Sequence, residues 1–194
     1  MNRPYSSKIK QSLYIETARQ KVIEVLFRYP EKEFSLSDLA KEAGVAKANI
    51  GRIINEFLKN GLIEVEKLSK IWRIKANVKD ARFRTEKIFY NLDIIYSSFF
   101  IEYLNEYFGN PKAIILFGSF RRGEDISTSD IDIAIETDVA NEYKTARIKE
   151  LEGFEKQINR RIQFHLFNRK NVDLNVFNNI ANGIVLSGFL EVKP

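Results

Sequence analysis

The order of apolar and polar positions divides the chain into two halves with different rhythms. From Leu13 to Phe27, the apolar residues Leu13, Ile15, Val22, Ile23, Leu26 and Phe27 recur at roughly helical spacing, and Pro30 ends the run. Ser35 or Ser37 can cap a short second helix that holds Leu39 and Ala40. Gly44 supplies a tight turn, and Val45 packs back. A third helix is expected from about Lys47 to Asn60. It places Ile50, Ile53, Ile54, Phe57 and Leu58 on its buried side, and Gly61 closes it. Two short alternating runs, Leu62 to Lys67 and Ile71 to Lys75, predict a hairpin around Leu68-Ser69-Lys70.

Residues 81–109 predict a bridging helix. Ile88, Leu92, Ile95, Phe99 and Leu104 recur at helical intervals, with Phe89, Tyr90, Tyr96, Phe100, Tyr103 and Phe108 interleaved. So many aromatics require burial on more than one side, between two domains or in a dimer contact. Past Pro111, strands and helices alternate. Ala113 to Phe117 is an apolar strand, followed by a Gly-Ser turn and a short helix near Phe120 to Arg122. The strand Ile131 to Glu136, a polar helix over about Asn141–Ile158, the strand Arg161 to Phe167 and a last helix over about Val172–Leu186, ending near Gly188, complete the order. The expected class is α/β (α+β): residues 1–80 as a unit of three helices and a hairpin, 81–109 as a bridge, and 110–194 as a small mixed sheet backed by helices.

Composition narrows the function classes. The chain has no cysteine, which excludes disulfides and thiolate metal sites. No apolar run approaches the roughly 18 residues of a membrane span. The first ten residues hold no apolar signal region, so a cytoplasmic location and no membrane partner are expected. Charge is uneven. Residues 1–80 hold 16 Lys/Arg against 10 Asp/Glu, and residues 81–194 hold 15 against 16. A basic first half points to a polyanionic partner.

The chemistry concentrates between Leu116 and Glu136. In the run Ile131, Ile133, Ile135, alternation turns the apolar side chains to one face of a strand. Asp130 and Asp132 then project from the other face, close enough to share divalent cations. Gly118 and Ser119, at the preceding strand-to-helix turn, offer backbone N–H groups and a hydroxyl suited to a polyphosphate. These parts describe a Mg–nucleotide site.

Phe117-Gly118-Ser119, Arg122-Gly123 and Ser129-Asp130-Ile131-Asp132 resemble the signature of the polymerase-β-like nucleotidyltransferases, and most closely their minimal prokaryotic members. The resemblance implies that Gly118 and Ser119 cradle the donor phosphates, with Arg122 and Ser129 nearby. It implies that Asp130 and Asp132 bind Mg²⁺, two ions in an active enzyme, while an acceptor hydroxyl displaces pyrophosphate from an NTP. ATP is the favoured donor, and the acceptor is a hydroxyl on a protein or small molecule, a helical HEPN-type toxin being one candidate. Such enzymes usually carry a third carboxylate on a later neighbouring strand. Here that strand offers Gln163, in the expected register but unable to act as a base, and His165, the sole histidine, as ligand or base. Glu136 lies too far along its strand to substitute.

The helix, helix–turn–helix and hairpin order of about residues 10–78 is similar to a winged helix-turn-helix domain. That resemblance implies that the third helix enters the major groove through Lys47, Asn49, Arg52 and Asn55, while Lys67, Lys70 and Arg73 of the wing meet phosphates. Polar faces of a protein–protein module would look the same. Two functions follow: a Mg-dependent nucleotidyltransferase with an attached DNA-binding domain, or a DNA-binding regulator whose nucleotidyltransferase-like domain only binds nucleotide. A homodimer fits either.

Overall fold

The computed structural model describes residues 17–68, 71–170 and 172–192. The chain forms two compact units, with the boundary between Tyr90 and Asn91.

The first unit opens with α1 (Ala18–Arg28), capped by the Thr17 hydroxyl, which accepts the Gln20 N–H at 3.1 Å. Ser35, rather than Ser37, caps α2 (Leu36–Glu42). Its hydroxyl accepts the Asp38 N–H at 3.1 Å and donates to the Asp38 carboxylate at 2.7 Å. After the turn at Gly44, α3 (Lys47–Lys59) buries Ile50, Ile53, Ile54 and Phe57, the i, i+3, i+4, i+7 stripe of an amphipathic helix. Leu58, expected on that buried side, is 40% exposed. At about 100° per residue it falls some 40° beyond Ile54, at the edge of the stripe. The buried positions pack with Val22, Leu26, Leu39, Ile63 and Ile74 in one core.

Strands β1 (Ile63–Leu68) and β2 (Ile71–Ala76) form the expected antiparallel hairpin, with Val65 opposite Ile74. The backbone of Phe34 joins its edge, exchanging hydrogen bonds of 2.8 and 2.9 Å with Ile74. Ser69 and Lys70 lie outside the described residues, as do Leu13 and Ile15.

The expected single bridging helix is instead two, α4 (Ala81–Tyr96) and α5 (Phe100–Tyr107), and the unit boundary falls inside α4. The break has a local cause. The Ser97 and Ser98 hydroxyls turn back to donate to the carbonyls of Asp93 (2.6 Å) and Ile95 (3.1 Å), and Phe99 takes a left-handed φ of 54°. The aromatic positions are not buried all round either, since Phe89 and Tyr96 are exposed.

The second unit is built on a five-stranded mixed sheet. It comprises β3 (Ala113–Phe117), β4 (Ile131–Glu136), β5 (Lys144–Ala146), β6 (Ile162–Phe167) and β7 (Ile184–Gly188), in the order β5-β6-β4-β3-β7. Only β4 and β6 run parallel; the other pairs are antiparallel. Two sequence expectations are corrected here. The polar helix over 141–158 is the edge strand β5, a 3-10 turn at Lys149–Leu151 and the short α7 (Glu152–Ile158). The last helix stops early, as α8 (Leu174–Ala181), and the chain returns as β7. Gly183 makes that return possible. A Cβ there would stand 2.5 Å from the Ile115 side chain and 2.6 Å from the Leu116 carbonyl.

One face of the sheet carries Ile114, Leu116, Ile131, Ile133, Ile135 and Phe164 and packs on Phe100, Leu104 and Phe154. The other carries Ala113, Ile115, Ala134 and Phe167, covered by Ile180 and Leu190. The three isoleucines of β4 fix its register, because a one-residue slip would drive Asp130, Asp132 and Glu136 into the apolar core. Burying each such side chain contributes about 1.5–3 kcal/mol, so the placement of the acids is strongly specified.

Candidate functional site

Phe117, the last residue of β3, lies directly across from Asp132 on β4. The strand turns there into α6 (Gly118–Arg122), so the Gly-Ser turn meets the start of β4. Gly118 has φ +74°, a conformation L-residues avoid, and a Cβ on it would collide with the Asp132 carboxylate at Oδ2. The chain itself therefore excludes a Cβ at this position: the glycine makes the seat in which Asp132 sits.

Asp132 is held from the other side by β6. The parallel register sets Gln163 beside Asp132 and His165 beside Ala134. His165 is buried, and its Nε2 lies 3.1 Å from Asp132 Oδ1. Its Nδ1 lies 2.5 Å from the Tyr143 hydroxyl, and its ring meets Phe117 edge-on at 4.8 Å. An ionised carboxylate only accepts, so the hydrogen on Nε2 is donated to Asp132 and Nδ1 accepts from Tyr143. Burial first, and then the negative charge of Asp132, raise the Tyr143 hydroxyl above its ordinary pKa and keep it a donor. Tyr143 escaped the sequence reading because a helix was expected over its segment.

Asp130 pairs with Arg161, with Nε 2.9 Å from Oδ1. Arg161 is 63% exposed, so the pair contributes at most about 1 kcal/mol and is readily given up. Asp130, Arg161 and Gln163 line a cavity of about 390 Å³ together with Thr145 and Arg147. Gln163 is half-buried and, as expected, no acid stands beside Asp132 on β6.

The other predicted residues are placed less centrally. Ser119 lies in the first turn of α6, and its carbonyl accepts the Glu124 N–H at 3.0 Å. The Ser129 hydroxyl accepts the Ile126 N–H at 3.0 Å, closing the turn ahead of Asp130. Arg122 makes an exposed pair with Glu124 at 2.7 Å. Glu136, four residues beyond Asp132, is buried against Arg169, which also reaches Glu191.

A network the sequence did not reveal pins the loop leading to Asp130. Asp125 and Arg160, both almost fully buried, form an ion pair at 3.4 Å. Asn91 donates to Asp125 at 2.9 Å and to the Phe120 carbonyl at 2.8 Å, while Arg160 also donates to the Ser127 carbonyl at 3.3 Å. The network thus joins α4, α6, the loop before β4 and the entry to β6.

In the first unit, Lys47, Asn49, Arg52 and Asn55 lie on the exposed face of α3. Lys70 lies outside the described residues. Arg73 is engaged with Glu33 at 3.1 Å and Glu66 at 3.2 Å, and Lys67 sits over the Trp72 ring at 4.2 Å.

Among the described residues, no three His, Cys, Asp or Glu side chains are grouped to hold a metal, and no helix is long and apolar enough to cross a membrane. The hard-oxygen donors at the sheet end are the carboxylates of Asp130 and Asp132. Two such donors fit a Mg²⁺ or Mn²⁺ ion that completes its shell with water and phosphate oxygens.

Asp130 and Asp132 thus stand near a turn in which Gly118 leaves room for a carboxylate but not for a Cβ. The chain's second unit can be placed further: residues 98–186, from the end of the α4–α5 break to β7, match the family model of the nucleotidyltransferase domain. A nucleotidyltransferase domain suggests a transferase, and domains of that kind typically use an NTP and a divalent metal. No curated protein matches the chain.

Proposed function

We propose that the second unit transfers an NMP group from a Mg-bound NTP, with ATP the favoured donor, to a hydroxyl on a protein or small molecule. The observation that carries this reading is the seat of Asp132. The turn at Gly118 and the carboxylate are built against each other, in the stretch where the Gly-Ser and Asp-x-Asp runs coincide with the family match. On this reading Gly118 and Ser119 present backbone N–H groups and a hydroxyl to the donor phosphates. Asp130 and Asp132 would hold the cation, Asp130 once its exposed pair with Arg161 opens. The cation would supply charge neutralisation at the phosphoryl oxygens; the acceptor oxygen bonds to the α-phosphorus, the bond from that phosphorus to the pyrophosphate oxygen breaks, and the hydroxyl proton passes to solvent.

Incubation with α-labelled ATP, Mg²⁺ and candidate acceptors tests this. Label should pass to an acceptor with the native chain and not with the Asp130→Ala, Asp132→Ala variant. Equal labelling by both contradicts the assignment.

A second reading is favoured by one feature, the lack of an acid beside Asp132 on β6. The chain is then a regulator whose second unit binds nucleotide without turnover. Its first unit acts as a winged helix-turn-helix that contacts DNA through Lys47, Asn49, Arg52 and Asn55 of α3 and through Lys70 and Arg73 of the hairpin. A salt-dependent mobility shift with the DNA upstream of its own coding region separates the two, since phosphate contacts release counterions. Arg52→Ala and Lys47→Ala should weaken binding; unchanged affinity removes α3 as the reading helix. The readings can coexist, with the DNA-binding unit localising or controlling the enzyme.

A further inference from the structure

We propose that His165, held by Tyr143, is the positioning residue that sets the Asp132 carboxylate for its cation. The inference rests on the reading of Asp132 as a metal ligand and adds to it the group that orients that ligand. A carboxylate at the start of a strand can present either oxygen by rotation about its last bond. Here Nε2–H of His165 occupies Oδ1 at 3.1 Å, and Oδ2 is the oxygen that faces the Gly118 turn. One oxygen is committed to the protein, and the other is directed to the place where the phosphates would lie.

The imidazole itself has little freedom. It is 8% exposed, the Tyr143 hydroxyl donates to Nδ1, and the Phe117 ring packs edge-on against it. The Asp132 carboxylate, which only accepts, sets the tautomer of the neutral ring: the hydrogen sits on Nε2, and Nδ1 is left to accept from Tyr143. Direct ligation of a cation by His165 would need a lone pair on Nε2. That lone pair would face the lone pairs of Asp132 Oδ1, a repulsive arrangement. The chain Tyr143–His165–Asp132 is therefore an outer shell. Outer-shell partners of this type typically change metal affinity by about 10- to 100-fold.

Mn²⁺ titrated into the 194-residue chain, followed by loss of the free-ion EPR signal, tests the proposal without recourse to activity. Four variants are compared with the native chain. Asp132→Asn should abolish the tight component. If the native chain binds no Mn²⁺, or Asp132→Asn binds it equally well, the metal reading of Asp132 falls, and this inference with it. Given native binding that depends on Asp132, His165→Ala should weaken it about 10- to 100-fold. Tyr143→Phe, which removes one hydrogen bond, should weaken it roughly 2- to 10-fold. His165→Gln should restore most of the affinity, since its amide nitrogen can donate to Asp132 while its oxygen accepts from Tyr143. Native affinity in both His165→Ala and Tyr143→Phe overturns the positioning role. So does a His165→Gln variant that folds as the native chain does, judged by its thermal midpoint without metal, yet binds as weakly as His165→Ala.

Discussion

Asp132 and Glu136 stand four residues apart on one face of β4, and the protein treats them in opposite ways. Asp132 has a side chain 25% exposed, a seat made by Gly118 and a hydrogen-bond donor in His165, whose orientation is fixed from behind. Glu136 has a side chain 6% exposed and an arginine across it, Arg169, which a second acid, Glu191, also engages. One carboxylate keeps an oxygen directed at an open turn, and the other has its charge cancelled inside the fold. Carboxylate chemistry, strand and face are shared, so none of them decides which acid can serve the reaction. The neighbouring elements do: a side-chain-free turn at one end of the strand, a cation at the other.

The largest expected effects break this comparison from both ends. Asp132→Ala should lower nucleotidyl transfer by about 10³-fold or more, the loss expected when several kcal/mol of charge stabilisation disappear. Its unfolding free energy should fall by only about 1 kcal/mol, the low end for leaving the buried His165 donor without its partner. Glu136→Ala should do the reverse. It leaves Arg169 only the exposed Glu191 and should cost about 3 kcal/mol in chemical denaturation, the low end for a broken buried pair, while activity per folded molecule holds. A variant pair that shifted activity and stability together would erase the distinction.

Gly118→Ala sharpens the site end. The added methyl forces the Asp132 carboxylate aside and should cost roughly 10²-fold in transfer, with about 1–2 kcal/mol of backbone strain at the positive φ. Arg161→Ala is the smallest test. Freed from an exposed pair worth about 0.2–1 kcal/mol, Asp130 should bind Mn²⁺ up to about 5-fold more tightly, with stability almost unchanged. Weaker Mn²⁺ binding in that variant would assign Arg161 an assisting part instead.

The apolar alternation of β4 and the Gly-Ser turn made Asp130, Asp132 and Gly118 legible in the sequence, while the resemblance to nucleotidyltransferases pointed to the strand position that Gln163 fills. The helices of the first unit were legible for a similar reason: α3 keeps four buried residues in one stripe. What escaped was decided by partners distant in sequence. Lys144–Ala146 has no strand pattern of its own and becomes β5 by pairing with β6, which carries Tyr143 to the imidazole. The Asn182-Gly183 pair is a local turn signal, but helical spacing across it concealed β7 until the close approach to Ile115 was seen. Asp125 and Arg160, 35 residues apart, give no local hint of their pairing. The orientation of His165 likewise depends on β3, β4 and the segment before β5.

Equilibrium binding of a non-hydrolysable ATP analogue with Mg²⁺, measured calorimetrically on the native chain and on the Asp130→Ala, Asp132→Ala variant, tests the site assignment most directly. The account predicts saturable Mg²⁺-dependent binding by the native chain and its loss in the variant, with both chains folded. Binding that is indifferent to the two substitutions, or to chelation of Mg²⁺, would contradict it.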